Sequence, residues 1–263
     1  MKKIPMRVSH ATPAIVLRSW PFGESDRIVS FLTESHGKLT GIAKGAKRSK
    51  RRFVNSLEPF SFVNLRFQDG VHSSLAFILG CELQKSYKNL IASLDKIAVA
   101  FYCVEITEGL IAEREENRLV FKHLKQSLSY LESQETSLTF LIGFELKLLR
   151  LAGYQPFLDS CRRCGVNRPR LPGPIPTSQM RWHFSLRDGG ILCESCCGLR
   201  KEILPMSCEA LDLMIDLQQE QNLQSINLTL PVLKQMRAIV LRFIQFQMDK
   251  EIKSASFLYQ FSA

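Results

Sequence analysis

Four cysteines stand in two pairs, Cys161-Arg162-Arg163-Cys164 and Cys193-Glu194-Ser195-Cys196, each with a gap of two residues. That gap lets both sulfurs of a pair reach one cation, and two pairs complete a tetrahedral shell. A shell of four thiolates is the mark of a structural zinc, because a catalytic zinc keeps one position open for water. Gly165 follows the first pair and Gly198 lies close after the second, where tight knuckle turns favour a residue without a Cβ. The spacing therefore points to one structural Zn²⁺ held by Cys161, Cys164, Cys193 and Cys196. Cys197 is an alternative fourth ligand, and Cys196 is preferred because its gap of two matches the first pair. His183 reads as a strand residue rather than a ligand. The 28 residues between the pairs exceed the roughly 15–20 of common zinc ribbons. The excess carries Pro169, Pro172, Gly173, Pro174 and Pro176, which reads as a surface loop between two strands. Thiol exchange is the rival chemistry, but two CxxC pairs close in sequence favour a metal.

The second stretch able to do chemistry is basic. Lys38, Lys44, Lys47, Arg48, Lys50, Arg51 and Arg52 fall within residues 37–52, with no acid among them. Gly41, Gly45, Ala46 and Ser49 keep the run slim and, on this reading, mobile. Such a loop can lay several cations along a phosphate backbone, each neutralised phosphate releasing counterions. Phe22, Phe31, Phe53 and Phe60 could offer faces to unpaired bases, although each is as readily a core residue. Composition agrees with a polyanionic partner. The chain of 263 residues carries a net charge of +10 and a pI near 9.3. Residues 1–86 hold 14 lysines and arginines against six acids, so +8 of that charge sits in the N-terminal third.

No catalytic constellation is present in the sequence: no P-loop, no GxSxG, no HExxH, and five scattered histidines. The residues argue for a binder rather than an enzyme. No apolar run is long enough for a membrane span or a secretory signal, so a cytoplasmic protein with no membrane partner is expected. Cys81, Cys103 and Cys208 stand among apolar residues and read as buried thiols.

The elements that must position these groups can be read in order. Short strands are expected at residues 14–19, 27–33, 39–43, 60–67 and 74–83, divided by turn signals such as Pro21-Phe22-Gly23 and Gln68-Asp69-Gly70. Five strands in so short a stretch, with a basic loop, point to an OB-fold barrel. An SH3-like barrel fits the pattern alone nearly as well. From Asn89 the period becomes helical, with Leu90, Leu94, Ile97, Phe101 and Val104 as one apolar stripe, and Leu124, Leu128 and Leu131 as another. A helix over 137–152 stops at Gly153, with Pro156 beyond. Ser207 caps a helix expected to reach about residue 220, and Pro231 opens a last one. The fold class is α+β and multidomain: an OB-fold domain over 1–86, a helical domain over 87–158 and 199–263, and an inserted four-cysteine module over 159–198.

These residues together resemble the RecO family of bacterial recombination mediators. The blocks that carry the resemblance are Ala14-Ile15-Val16-Leu17-Arg18, Gly23-Glu24-Ser25-Asp26-Arg27, Thr33-Glu34-Ser35-His36-Gly37-Lys38-Leu39 and Ala43-Lys44-Gly45-Ala46-Lys47. They continue with Leu57-Glu58-Pro59-Phe60, Gly153-Tyr154-Gln155-Pro156, Gly189-Gly190, the second cysteine pair, and Lys253-Ser254 with Phe257-Leu258. The resemblance implies a protein that binds single- and double-stranded DNA and anneals complementary strands. It further implies action with RecR to load RecA onto DNA coated by single-stranded DNA-binding protein (SSB), whose C-terminal tail would meet the helical domain. Some members lack the cysteines, which implies that the zinc stabilises rather than acts. Two other classes use the same features: an RNA-binding zinc-ribbon protein of translation or transcription, and a zinc-dependent enzyme that modifies nucleic acid.

Overall fold

The computed structural model describes residues 8–70, 74–168, 182–198, 202–219 and 229–258. The proline-rich stretch over 169–176, expected as a surface loop, lies outside them, as does residue 220. The chain forms two compact units, Met1–Glu135 and Thr136–Ala263.

In the first unit, β1 (Ser9–Phe22) is long enough to serve two neighbours. Its first half pairs with β4 (Phe62–Gln68) and its second half with β2 (Asp26–Thr33), with a register shift between Val16 and Arg18. β3 (Lys38–Ala43) pairs with β2, and β5 (Ala76–Lys85) pairs with β4. A short parallel contact between β3 and β5 closes the barrel in the order β1-β2-β3-β5-β4. This closed five-stranded arrangement is the OB-fold, and it decides against the SH3-like alternative. Closure depends on Gly41, where a Cβ would sit 2.4 Å from Ile78 Cδ1. Val16, Val29, Phe31, Leu39, Val63, Leu65 and Phe67 fill the interior.

Three helices complete this unit: α1 (Lys88–Ile91), α2 (Leu94–Leu110) and α3 (Arg118–Ser133). The single apolar stripe expected from Leu90 onward is interrupted. Ser93 accepts a hydrogen bond from the Lys96 amide and starts α2 afresh. Within α2 the buried side is Val99, Tyr102, Cys103 and Ile106, whereas Leu94 and Phe101 are exposed. Apolar residues surround this helix, so periodicity could not single out its inner face. The second stripe is as expected, with Leu124, Leu128 and Leu131 fully buried.

In the second unit, α4 (Leu138–Leu151) begins at a Ser137 cap and gives way to Gly153 at φ 84°. It packs against α6 (Cys208–Gln218) and α7 (Leu230–Met248), and Arg237 of α7 meets Glu145 of α4 at 3.1 Å with both side chains buried. Between α4 and α6 lies a three-stranded sheet of β6 (Trp182–Ser185), β7 (Gly190–Cys193) and β8 (Ile203–Met206), with β6 in the centre. A one-turn α5 (Glu194–Cys197) follows β7. The two compact units part between Glu135 and Thr136, so α1 to α3 belong with the barrel strands and α4 to α7 with the cysteine cluster.

Candidate nucleic-acid interface and metal centre

The basic run leaves β3 at Lys44 and forms a folded turn rather than a slack loop. Gly45, at φ 70°, opens one turn of 3₁₀ helix over Ala46–Arg48. Asp26 Oδ1 accepts the Gly45 amide at 2.8 Å and the Ser25 hydroxyl at 2.9 Å. Those two donors, the Gly45 amide foremost, with Lys44 and Lys47 nearby, hold the Asp26 carboxyl below its ordinary value. Lys47 ties the turn to the β1–β2 hairpin, its amide donating to Ser25 O and its ammonium to Gly23 O. Arg52 folds back, one guanidinium nitrogen donating to Lys44 O at 2.9 Å, and its own carbonyl accepts the Cys81 amide of β5. Phe53 and Leu57 then enter the barrel core, and Phe60 is buried against Phe101 of α2.

Six of the seven expected cations, Lys44, Lys47, Arg48, Lys50, Arg51 and Arg52, are exposed along this one turn. Lys38 stands apart. Its ammonium donates to Glu108 O at 2.6 Å, at the carbonyl end of α2. Of the aromatic candidates, Phe31, Phe53 and Phe60 are core residues, and Phe22 is half exposed on the β1–β2 hairpin. Trp20, two residues before it, is 41% exposed, and sequence reasoning passed over it. Alternation along β1 was the available signal, since residues i and i+2 share a face.

The four cysteines of the second unit converge, with all four sulfurs within 4.8 Å of one another. A Zn–S bond of about 2.3 Å implies sulfurs about 3.8 Å apart, and Cys164 and Cys193 stand at 3.6 Å. Backbone pairing places them. Phe157 bridges to Gly190, the Arg162 amide donates to Ile191 O, and the first knuckle closes through the Gly165 amide to Cys161 O at 3.0 Å. Gly190 admits this approach because a Cβ there would stand 2.3 Å from Phe157 O. Cys197 lies outside the cluster, its thiol donating to Glu194 O at 3.0 Å. His183 sits in mid-strand, opposite Leu192 and Pro205.

Burial opposes ionisation of Cys161, but backbone N–H groups of Cys164, Cys193 and Arg163 outweigh it and bring the thiol down to about 6. Hydrogen bonds with Cys164 and Cys193 push Cys196 up to about 12, and burial raises Cys193. All four thiols are free, and such a donor set suits a soft, tetrahedral metal ion.

Two family descriptions match the chain, Recombination protein O N terminal over residues 6–87 and Recombination protein O C terminal over 91–256. The chain is 31% identical over 257 residues to the DNA repair protein RecO of Syntrophus aciditrophicus, covering 96% of each. It is 32% identical over 255 residues to that of Caldanaerobacter subterraneus, covering 95% of this chain and 98% of the relative. That of Myxococcus xanthus is 32% identical over 247 residues, covering 94% and 96%.

The chain belongs to the RecO family.

It is a DNA repair protein of that family. The RecO N-terminal match spans the barrel with its basic turn, and the C-terminal match spans the helices and the cysteine cluster. No helix among the described residues is long and apolar enough to cross a membrane.

Proposed function

We propose that this RecO-family protein is a recombination mediator that works without bond-breaking chemistry. It holds single- and double-stranded DNA by the backbone, anneals complementary strands, and acts with RecR to place RecA on SSB-coated DNA. The observation that carries this reading is the row of six exposed cations, Lys44, Lys47, Arg48, Lys50, Arg51 and Arg52, on one pinned turn of an OB barrel. Two strands repel through their phosphates, and cations shared between them lower that barrier without reading sequence. Trp20 and Phe22 supply faces for bases held single-stranded before pairing.

The metal is Zn²⁺, held by Cys161, Cys164, Cys193 and Cys196 as the core of a module over 159–198 set within the helices. Four thiolates fill a tetrahedral shell, so the ion shapes the fold and leaves no place for an activated water. The helical part receives the C-terminal tail of SSB, and the protein acts in the bacterial cytoplasm beside the nucleoid.

Strand annealing on SSB-coated DNA, with and without RecR, tests the reading. The purified chain should pair complementary oligonucleotides faster than they pair alone, on bare and on SSB-coated strands, and with RecR should shorten the lag of RecA assembly. Annealing no faster than the spontaneous rate, or a preference for RNA over DNA of the same length, would overturn it.

A further inference from the structure

OB barrels commonly bind oligonucleotides on the face of strands 2 and 3. Here that face is taken by the protein's own chain. Val29 and Phe31 point into the barrel, so Ser30 and Leu32 point outward, yet both are buried. α2 and α3 pack over β1 and β2, and Ser30 donates to a Glu108 carboxylate oxygen at 3.2 Å. Lys38 is held by Glu108 O, Thr40 donates to Glu113, and the Arg114 amide donates to Lys38 O. The covering segment brings carboxylates, which would repel a phosphate backbone.

The opposite side of the barrel is open. The outer face of β1, β4 and β5 carries a cavity of about 720 Å³ walled by Arg51, Arg52 and Val54 of the basic turn. Its floor is set by register. One row across the strands is Ala11, Arg66, Gly80, and the next is Pro13, Asn64, Glu82. Arg66 is exposed and flanked by a methyl group and a hydrogen, so its guanidinium lies in a trough over Gly80, 3.1 Å from where a Cβ would stand. Among the described residues neither Arg66 nor Arg51 has an acidic partner.

We propose that the DNA bound by the basic turn continues as a single strand into this groove, with a base stacked on Arg66 and phosphates against Arg51 and Arg52. A planar cation lying flat suits a base face, and Glu82 and Asn64 offer polar atoms to its edge. A single strand fits this chemistry because only unpaired bases present both a face and an edge. The inference rests on the DNA-binding reading above and adds the path of the strand.

The test compares a thymidine oligomer with an abasic oligomer of equal length and phosphate count, binding to the full chain. The native protein should favour the thymidine strand by about tenfold, and Arg66→Ala should remove that preference. Ala11→Glu, an exposed position beside Arg66, should do the same and serves should Arg66→Ala fail to fold. Glu82→Gln should tighten both strands, whereas Lys88→Glu, an exposed cation on α1, should change neither. A preference for thymidine that survives both Arg66→Ala and Ala11→Glu would overturn the groove. The DNA-binding reading is judged separately by removing Lys44, Lys47 and Arg48 together. Weakened binding there with an unaltered Arg66 variant sinks the path alone, and unchanged binding sinks both.

Discussion

Asp26 is an acid set beside the cationic turn, and its two hydrogen bonds explain why it is there. With the Gly45 amide on Oδ1 it fixes the left-handed residue from which the cationic turn departs. Asp26→Asn should keep that acceptor and remove a charge, so the Gly45 amide stays protected in hydrogen exchange while DNA binding tightens a few-fold. Asp26→Ala should expose the amide and weaken binding. The depressed carboxyl sets the sign with pH: its support is complete above the ordinary 3.8 and is lost only as pH falls through its lower folded value. The turn should therefore hold its shape from pH 5 upward, as read from the Gly45 amide. Lys38 shows the limit of sequence at this scale. Its charge was legible, but its partner, the Glu108 carbonyl, lies 70 residues away in the chain. Lys38→Ala should lower stability by about 1 kcal/mol, as loss of a cation at a helix C-terminus does, and leave salt dependence of binding nearly unchanged.

Among the elements, the edge of β7 positions the knuckles of the second unit. Gly190 lets Phe157 pair with β7, and that pairing sets Cys161 and Cys164 beside Cys193. Gly190→Ala should therefore lose metal affinity though no ligand is touched, as counted by metal content after dialysis. Cys164→Ser or chelation should loosen the same module, because a structural zinc can contribute roughly 10–16 kcal/mol to a small fold. Both should spare DNA binding by the barrel at low temperature. Replacing Arg237 by Ala removes the buried cation that faces Glu145 and should cost about 3–5 kcal/mol in denaturant unfolding. The stop of α4 and the caps at Ser137 and Ser207 were legible because capping is local chemistry. The inner face of α2 was not, since its apolar side chains are spread round the helix instead of forming one stripe, and the break at Ser93 was masked by leucines on both sides. The convergence of the four cysteines was legible, as a gap of two residues brings both sulfurs of a pair to one side of a turn. Arg66 was not, because its trough exists only once β1, β4 and β5 lie side by side.

At the scale of the molecule, charge and architecture agree. Most of the net +10 lies in the first 86 residues, the stretch that holds the five barrel strands, and the cysteine cluster lies far along the chain in the other unit. On the proposed reading the four cysteines hold shape, and the surface that meets DNA is the cationic turn with the open barrel face beside it. The helices that cover the usual OB face also explain why a positive barrel carries Glu108 and Glu113 against β2 and β3. The most direct measurement is the affinity of the full chain for a single-stranded oligonucleotide across a series of salt concentrations. For about five phosphate contacts, log affinity should fall against log salt with a slope near −3.5. Replacing Lys44, Lys47, Arg48, Arg51 and Arg52 with alanine should flatten that slope and weaken binding. An equally steep slope in the replaced protein would place the DNA elsewhere and contradict the account.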